Sequence, residues 1–405
     1  MTFNLIRKQF PWFKNNPGWV YADNAASSLK PQVVIDAIDE FYAKYCFNTH
    51  NTDSPLTSKF NQKIVDARKA IAQFFHAQTN EIIFTSGATE SLNLVIFNVI
   101  KWLKPHDEVL VSYGEHTSNL LPWMNASKLK KIKIVYAKNQ DNLPTTEAFI
   151  RAINKKTQVI SFTNISNLLG YTIDVKKVAA AARKINPKII IIVDATHSAP
   201  SIKIDVKAWD CDFLACSAHK MCGPTGIGLL YGKFALLERL APLKYGGGMN
   251  NVLNVKTYTL SPLPSRLEGG TIHAGGIIGL HAAIQFLNKI GMKKIEKYDQ
   301  ELKRYIDQSF KQLKHVQYYN VQKTHAICAF NIPGVNPQDL SHYLGQQHII
   351  TRGGMSCAKL QHMFTKSEAG VVRASFYFYN NKKDVDQLVN ALKHFDKKKM
   401  LKALV

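Results

Sequence analysis

Cysteine is scarce in this chain, and the cysteines do not form a metal-binding pattern. The 405 residues include six of them: Cys46, Cys211, Cys216, Cys222, Cys328 and Cys357. No two of these cysteines have the Cys-x-x-Cys spacing that zinc sites use. Six cysteines are also few for a disulfide framework in a chain of this length. We therefore expect most of these thiols to be reduced and buried, and we expect no metal site.

Long apolar runs are also missing. Nowhere does the chain hold an uninterrupted run of about 18 apolar residues, the length that a membrane helix needs. Residues 1–8 lack an apolar core of the kind found in signal peptides. We therefore expect no membrane contact and a cytoplasmic location.

Acidic residues are few. The chain has 29 Asp and Glu against 52 Lys and Arg, a formal net charge of +23. Clustered basic residues can neutralise nucleic-acid phosphates. Here, however, 43 of the basic residues are lysines spread along the chain, without a helix-turn-helix, zinc-finger or aromatic-basic motif. We expect no specific nucleic-acid binding, because a lysine bias or the steering of acidic partners explains the charge as well.

Hydrophobic residues make up 46% of the chain, which is ordinary for a globular protein. Helical patterns, for example over 90–102 and 175–184, alternate with short apolar runs typical of strands buried on both faces. The runs lie at 81–85, 108–112, 133–136, 159–163, 189–193, 212–216 and 228–231. The alternation predicts an α/β fold with a mainly parallel seven-stranded sheet.

The pattern changes after a glycine- and proline-rich stretch near 246–264. Beyond it, helical patterns precede a less regular segment of mixed strands and helices. We predict a large domain over 22–262 and a smaller α+β domain formed by 1–21 and 263–405.

Lys220 and Asp194 indicate the chemistry of the large domain. Lys220 closely follows the sixth apolar run, and Asp194 directly follows the fifth. Ligands of parallel sheets bind at the carboxyl ends of the strands. A lysine there can form a Schiff base with pyridoxal phosphate (PLP), and a carboxylate on the next strand can keep the ring nitrogen protonated. Alone, Lys220 would be read as a surface lysine; the pair favours a PLP site.

Other strand ends carry residues that suit the same site. Residues 85–90 open a helix whose N–H groups can bind phosphate, although an ordinary N-cap is the commoner explanation. His116 can stack on a flat ring and shuttle protons, or be an ordinary loop histidine. Asn167 follows a further strand. The glycines of 223–228 precede a strand, so they do not form a dinucleotide-binding loop.

The small domain contributes Cys357 and Arg373. Gly353 and Gly354, just before Cys357, indicate a mobile loop that can bring a thiol to the site. Arg373 begins an apparent strand and suits a bidentate grip on a substrate carboxylate. Without the PLP set, a structural cysteine and a surface arginine would be the simpler interpretations.

Together these features make the chain resemble the cysteine desulfurases of the class-V aminotransferase family, of PLP fold-type I, and within them the group II or Suf-type enzymes. The resemblance extends over nearly the whole chain. Its motifs are 22–27, 84–90, 115–116, 166–170, Asp194, 217–220, 223–228, 266–271, 275–279, 352–357 and 373–375.

The resemblance implies roles for single residues. Lys220 holds PLP covalently and is catalytic with Cys357 and His116. The implied cofactor-binding residues are Ala88, Thr89, His116, Asn167, Asp194, His197, Ser217, His219, Lys220 and, from the neighbouring subunit of a homodimer, Thr271. The implied substrate-binding residues are His50, Asn167, Arg352 and Arg373.

A reaction is implied as well. L-cysteine becomes L-alanine: a lysine or histidine base removes the α-proton, and the Cys357 thiolate captures the sulfur as a persulfide. A sulfur-acceptor protein then takes it for iron–sulfur cluster or thio-cofactor assembly.

The chain departs from the family pattern in three places. His197 stands where a glutamine usually bonds the phenolic oxygen of the cofactor, and we expect it to serve as the donor. Residues 51–54 replace a more basic segment after His50, so we expect different substrate contacts from a partner subunit. Met355 and Ser356 stand where two histidines are usual, so thiolate activation is expected to differ.

Two other functions stay open at this point. Another class-V PLP enzyme, such as a selenocysteine lyase, cysteine lyase or aminotransferase, would not need Cys357. A non-catalytic scaffold or a basic nucleic-acid binder would bind no PLP.

Overall fold

The computed structural model describes residues 2–49, 51–319, 325–398 and 400. Helices occur along the whole of this range. The α-helices are α1 (Phe3–Arg7), α2 (Pro11–Asn15), α3 (Gln32–Glu40), α4 (Pro55–Phe75), α5 (Ala88–Trp102), α6 (Thr117–Lys130), α7 (Thr146–Ala152), α8 (Val175–Ile185), α9 (Val206–Trp209), α10 (Phe234–Leu237), α11 (Ala274–Ile290), α12 (Met292–Phe310), α13 (Pro337–Gln346), α14 (His362–Thr365) and α15 (Lys382–Lys393).

The strands divide between one large sheet, one smaller sheet and two short pairs. They are β1 (Val20–Tyr21), β2 (Ile82–Thr85), β3 (Glu108–Ser112), β4 (Lys133–Ala137), β5 (Thr157–Thr163), β6 (Ile190–Asp194), β7 (Phe213–Ser217), β8 (Gly228–Gly232), β9 (Asn250–Leu253), β10 (Tyr258–Leu260), β11 (Gln317–Tyr318), β12 (Ile327–Asn331), β13 (Ile349–Ile350), β14 (Arg352–Gly354) and β15 (Val371–Ser375).

The large sheet has seven strands in the order β2-β8-β7-β6-β5-β3-β4. Strand β8 runs antiparallel to both of its neighbours, and the remaining pairs are parallel. These strands correspond to the seven predicted apolar runs, so the predicted α/β fold is confirmed. The short connection from β7 makes β8 turn back, since a parallel neighbour would need a longer crossover.

Apolar side chains cover both faces of this sheet. On one face, Ile71 of α4, Val178 of α8 and Leu280 of α11 share a buried cluster. On the other face, Val95 of α5 and Trp123 of α6 share a second cluster. Because both faces are buried, the strands carry continuous apolar runs rather than alternating ones.

A smaller unit lies beside the large sheet. Its antiparallel sheet has the order β11-β12-β15-β14. Leu302, Phe330 and Leu388 belong to its own buried cluster, with residues of α12 and α15. Strand β1 pairs with β13 and so joins the N-terminal segment to this unit. The domain boundaries given above stay a prediction.

Three further properties concern the cysteines, membrane-spanning helices and metal-binding groups. All six cysteines are free thiols; four are buried, whereas Cys46 and Cys357 are exposed. In the part of the chain that the structure describes, no helix combines the length and hydropathy needed to cross a membrane. Within the same residues, no group of three or more His, Cys, Asp or Glu side chains is placed to hold a metal ion.

Candidate active site

A cavity of about 380 Å³ lies at the carboxyl edge of the large sheet, where that sheet meets the smaller unit. Most of the predicted site residues line it. The lining residues are Ala25, Ala26, Ala88, Thr89, His116, Ser118, Thr163, Asn167, Asp194, Thr196, His197, Ser217, His219, Lys220, Arg352, Gly353, Ser356, Cys357 and Arg373.

Lys220 ends a single 3-10 turn that follows β7. Its Nζ atom lies 3.0 Å from Nε2 of His197. Burial lowers the pKa of Lys220 to about 8, while the nearby carboxylate of Asp194 acts in the opposite direction. A usable fraction of the amine is therefore neutral near pH 7, as a nucleophilic lysine requires.

The segment before α3 fixes the backbone at Lys220. The carbonyl oxygen of His219 accepts hydrogen bonds from Ser28 N at 2.9 Å and from Lys30 Nζ at 2.9 Å. Burial lowers the pKa of Lys30 to about 8. The hydroxyls of Ser27 and Ser28 also donate to this oxygen, at 3.2 Å and 3.0 Å. Because four donors converge on one carbonyl, they stabilise the position of the peptide that joins His219 to Lys220.

Asp194 is the last residue of β6. Strand β6 pairs with β7, the strand that leads to Lys220. Its Oδ1 accepts hydrogen bonds from Thr196 N at 3.0 Å and from Thr196 Oγ1. The side chain is buried and lines the cavity. A carboxylate oriented in this way can pair with a protonated ring nitrogen.

The N-terminus of α5 forms another end of the cavity. Ala88 N donates to Ser217 Oγ at 2.8 Å, and Thr89 Oγ1 lies 2.8 Å from Ser118 Oγ. Burial lowers the pKa of His219 to about 4, so its ring is neutral at pH 7. Backbone N–H groups, hydroxyls and an imidazole at a helix N-terminus suit a phosphate group.

A glycine at the start of β8 allows this arrangement. A Cβ atom at Gly228 would lie 2.5 Å from Gly87 Cα and 2.6 Å from the carbonyl oxygen of Cys216. Only a residue without a side chain fits this close approach. Gly228 thereby lets the start of α5 pack against the start of β8.

His116 is the N-cap residue of α6, and its Nδ1 accepts a hydrogen bond from Ser118 N at 3.1 Å. Burial, followed by the charge of Lys220, lowers the pKa of His116. Its ring is therefore neutral at pH 7, and because Nδ1 is the acceptor, we assign the proton to Nε2. The Nε2 atom of His116 is therefore a hydrogen-bond donor.

Glu115, the residue before this histidine, is buried. Its carboxyl group accepts hydrogen bonds from Ser112 Oγ, from Asn119 Nδ2 at 2.8 Å and from Thr163 N at 2.8 Å. Burial raises the pKa of Glu115 to about 7 although these hydrogen bonds lower it. Glu115 therefore ties the ends of β3 and β5 to α6.

Cys357 lies in the loop after β14. Thr117 N donates to the Cys357 carbonyl at 2.9 Å, and Asn167 Nδ2 donates to the Ser356 carbonyl at 2.7 Å. Ser356 and Cys357 both have left-handed backbones, with φ of 46° and 56°. Since each such residue costs roughly 1 kcal/mol, the loop depends on these contacts to stay against the cavity.

Arg373 on β15 is buried, with 2% of its surface exposed. Its Nη2 lies 2.9 Å from Oδ1 of Asp23, and its Nη1 donates to the Asn167 carbonyl at 3.0 Å. Arg352 on β14 pairs with the same carboxylate, at 3.0 Å from its Oδ2. The site therefore holds two guanidinium groups around one carboxylate.

One predicted residue within the described range does not line this cavity, and another lies outside that range. Thr271 is exposed and does not line it. His50 lies outside the described residues. The predicted contacts of both residues remain predictions.

Sequence reasoning missed Asp23, Ser118 and Thr196 as members of the site. Asp23 stood inside a quoted motif, but its contact with Arg373 spans 350 positions and follows from no local pattern. Thr196 could have been found, because it follows Asp194 by two positions, the spacing of a side-chain-to-backbone turn.

The residues of the cavity fit PLP. They offer a partly neutral lysine, a carboxylate on the adjacent strand, and N–H and hydroxyl groups at a helix N-terminus. Two buried atoms, Asn167 Oδ1 and Arg373 Nε, have no hydrogen-bond partner among the described residues. Unpaired buried polar atoms are costly unless a bound group satisfies them.

Comparison with known proteins supports the resemblance to cysteine desulfurases over nearly the whole chain. Residues 20–388 match the family model described as aminotransferase class-V. A protein of Ureaplasma parvum named "Probable cysteine desulfurase" is 42% identical over 97% of this chain and 98% of its own. One of Halalkalibacterium halodurans with the same name is 38% identical over 97% of each chain.

Solved structures agree with these sequences. The cysteine desulfurase CsdA from Escherichia coli superposes with a TM-score of 0.89, 31% identity and coverage of 100% of both chains. A cysteine desulfurase from Thermococcus onnurineus NA1 gives a TM-score of 0.90, 32% identity and coverage of 96% of both. The likeness thus includes the large sheet and the smaller unit.

Proposed function

This chain belongs to the class-V aminotransferase family as a PLP-dependent cysteine desulfurase, and we propose that Cys357 collects the sulfur that it removes from L-cysteine. The observation that carries the proposal is that Lys220 and Cys357 line one cavity. They come from different parts of the fold, the large sheet and the smaller unit. An aminotransferase needs no thiol beside its lysine, so the alternatives considered above are not favoured.

Bound PLP supplies an electron-withdrawing ring that stabilises negative charge on the substrate carbon next to the amine. We assign its ring nitrogen to Asp194 and the face of its ring to His116. The residues assigned to its remaining polar groups are Ala88, Thr89, Ser217 and His219 for the phosphate, and Asn167 and His197 for the phenolic oxygen.

Lys220 and His116 divide the proton transfers. Neutral Lys220 can accept the α-proton of L-cysteine. His116 cannot do so equally well, because its Nδ1 lone pair is occupied by Ser118 N–H and its Nε2 already carries a proton. We therefore assign the base to Lys220 and a proton-donating role to His116.

Cys357 takes the sulfur. Its thiolate forms an S–S bond with the substrate sulfur, the bond between that sulfur and Cβ breaks, and the electron pair stays with the carbon. The carbon is then protonated, and L-alanine leaves. The Cys357 thiol is exposed, so the persulfide can be passed to an acceptor protein.

The substrate carboxylate is assigned to Arg373, which has an unpaired Nε, with Asn167 and Arg352 beside it. A planar guanidinium can bind a carboxylate with two parallel hydrogen bonds. His50 is assigned to the substrate side only by the family pattern.

We also propose a cytoplasmic homodimer that supplies sulfur for iron–sulfur cluster or thio-cofactor assembly. The hairpin of β9 and β10 exposes Leu253 and Tyr258 at 70% and 53%, which suits a subunit contact. A second copy is then expected to bring its exposed Thr271 to the phosphate. Sedimentation velocity of the purified protein tests this, and a monomer at micromolar concentration would contradict it.

The function is tested by measuring sulfide and L-alanine formed from L-cysteine with a reductant present. The wild-type protein is expected to form both in equal amounts. Cys357→Ala is expected to lose most of the sulfide, whereas Cys46→Ala, which removes the other exposed thiol, is expected to retain it. Full activity of Cys357→Ala would remove Cys357 from the reaction.

A further inference from the structure

A second, smaller cavity shares a wall with the active site. Its volume is about 30 Å³, and Ala25, His197 and Lys220 line both it and the active-site cavity. We call it the back cavity; its other polar lining residues include Asn24, Ser201, Asp299, His325 and Ser375. A space of this size with several polar partners can hold about one or two water molecules.

The back cavity is lined by a buried carboxylate and a buried imidazole that are bonded to each other. Asp299 of α12 and His325, just before β12, each have 5% of their surface exposed. His325 Nδ1 lies 2.6 Å from Asp299 Oδ2, and Asp299 Oδ1 accepts a hydrogen bond from Ala326 N at 3.0 Å. We assign a proton to Nδ1, as donor to the carboxylate, so Nε2 is the nitrogen that can take up another.

This pair can carry a positive charge on the imidazole ring. An isolated cation in a buried place is costly. A carboxylate that is hydrogen-bonded to Nδ1 stabilises the ring when Nε2 also becomes protonated. Asp299 and His325 can therefore accept one proton without leaving an unpaired charge inside the protein.

The other titratable groups of the back cavity are poorer acceptors. Burial and the charge of Lys220 hold the pKa of His197 well below its ordinary value, so its ring resists a second proton. Burial raises the pKa of Tyr377 well above its ordinary value, and its hydroxyl donates to a backbone carbonyl. Among these groups, a proton that leaves Lys220 on this side is best received by Asp299 and His325.

We propose that the Asp299–His325 pair receives, through water in the back cavity, the proton that Lys220 takes from the substrate. This rests on the proposed function, in which Lys220 is the base. The Lys220 ammonium group gives a proton to a water molecule, and that water gives a proton to His325 Nε2. Lys220 becomes neutral again, and the positive charge moves to the ring beside Asp299. Neither residue touches the substrate, so both act as positioning residues for this proton.

The proposal predicts the fate of the hydrogen on the substrate α-carbon. L-cysteine that carries deuterium there places it on the Lys220 ammonium group, beside two ordinary hydrogens. If Lys220 returns a hydrogen to the same carbon without exchange, about one third of the L-alanine keeps the label. Passage of protons into the back cavity dilutes the label, so wild type is expected to keep much less.

His325→Asn is the variant that tests this, because it keeps a donor for Asp299 but cannot accept a proton. It is expected to raise the retained fraction of deuterium at least about threefold, toward the limit set by three ammonium hydrogens. Mass spectrometry of L-alanine formed by the PLP-loaded protein measures this fraction. A variant that merely slows turnover gives Lys220 more time to exchange and would lower the fraction. A fraction equal to that of wild type would overturn the proposal.

Two further variants serve as controls, and thermal melting checks folding. Asp307→Asn removes another buried carboxylate of α12 that does not line the back cavity, and it is expected to keep the wild-type fraction. Asp299→Glu keeps the negative charge and is expected to stay close to wild type. A rise in Asp307→Asn as large as that in His325→Asn would overturn the proposal.

Asp299→Asn keeps the test valid if His325→Asn does not fold. It removes the charge that stabilises a protonated His325, so the retained fraction is expected to rise here too. An unchanged fraction would overturn the proposal. Failure of the proposed function looks different, because wild type would then form no L-alanine from L-cysteine.

Discussion

At the scale of single residues, the amine of Lys220 controls covalent attachment of the cofactor. Its pKa is lowered to about 8 by burial, and only the neutral amine is a nucleophile. The rate constant for PLP uptake by the apoprotein is therefore expected to rise about tenfold between about pH 7 and about pH 9 and then to level off. Stopped-flow absorbance measures this rate.

Asp194 provides the control for this prediction. Its charge raises the pKa of Lys220, so Asp194→Asn is expected to move the inflection to lower pH. A profile that is flat, or that bends only above about pH 10, the ordinary range of lysine, would contradict the assignment.

Glu115 gives a second prediction, on stability. Its pKa is raised to about 7 from an ordinary 4.5, chiefly by burial. The folded protein then keeps a proton that the unfolded chain releases above its lower pKa. The stability contributed by this proton is fully present below about pH 4.5 and is lost as pH rises through about 7. The loss is on the order of 3 kcal/mol.

Glu115→Gln is the variant that checks this, because an amide imitates the protonated acid. The free energy of urea unfolding of wild type relative to Glu115→Gln is expected to fall between about pH 5 and about pH 8. Glu301→Gln, at an exposed site, is the control and is expected to show no such trend. A constant difference across this range would mean that Glu115 is ionised throughout.

Single residues differ in how far the sequence predicts them. Lys220 and Asp194 could be identified because each follows an apolar strand, and the edge of a parallel sheet gathers such residues. Asp23 could not, because its partners Arg352 and Arg373 are distant in sequence and the contact depends on how two units of the fold meet. The raised pKa of Glu115 could not be predicted either, because it results from burial that only the folded structure shows.

At the scale of elements, the Cys357 loop is held by few contacts. Asn167→Ala removes the hydrogen bond to the Ser356 carbonyl, a contact worth ~1 kcal/mol. The loop is then expected to leave the cavity about five times more often, so the amide groups of 355–358 should exchange their hydrogens about fivefold faster. The amide groups of α5 serve as the internal control. Equal exchange of 355–358 in both proteins would show that Asn167 does not hold the loop.

The contact between β8 and α5 gives a prediction of its own. In Gly228→Ala the new methyl group meets the backbone of Gly87 and Cys216, which cannot turn away. We expect a loss of roughly 3 kcal/mol in the free energy of unfolding together with weaker PLP binding. Gly247→Ala, where a Cβ meets nothing within 4 Å, is the control. Equal stability of the two variants would contradict the packing described here.

The sequence predicts helices and strands best where burial gives them a clear apolar pattern. The seven strands of the large sheet show as apolar runs because both of their faces are covered. The antiparallel direction of β8 was not predicted, although the short 223–228 connection implies it. The pairing of β1 with β13 and the hairpin of β9 and β10 were also missed, because two-residue strands and exposed strands leave little hydrophobic pattern.

At the scale of the whole molecule, the site exists only where two units meet. The large sheet supplies Lys220 and the phosphate end, and the smaller unit supplies Cys357 and Arg373. The sequence predicted the site residues of both units, and the resemblance to the family predicted that they form one active site. The net charge of +23 comes mainly from lysines spread along the chain, and a positive field of this kind speeds the approach of acidic partners.

The central claim is that Cys357 accepts the sulfur of L-cysteine. It is tested most directly by mass spectrometry of the PLP-loaded protein after incubation with L-cysteine, without reductant or acceptor. We expect one added sulfur atom on the peptide that contains Cys357, in step with the L-alanine formed, and no added sulfur on that of Cys46. L-alanine formed while Cys357 stays unmodified, or sulfur found only on another cysteine, would contradict the account.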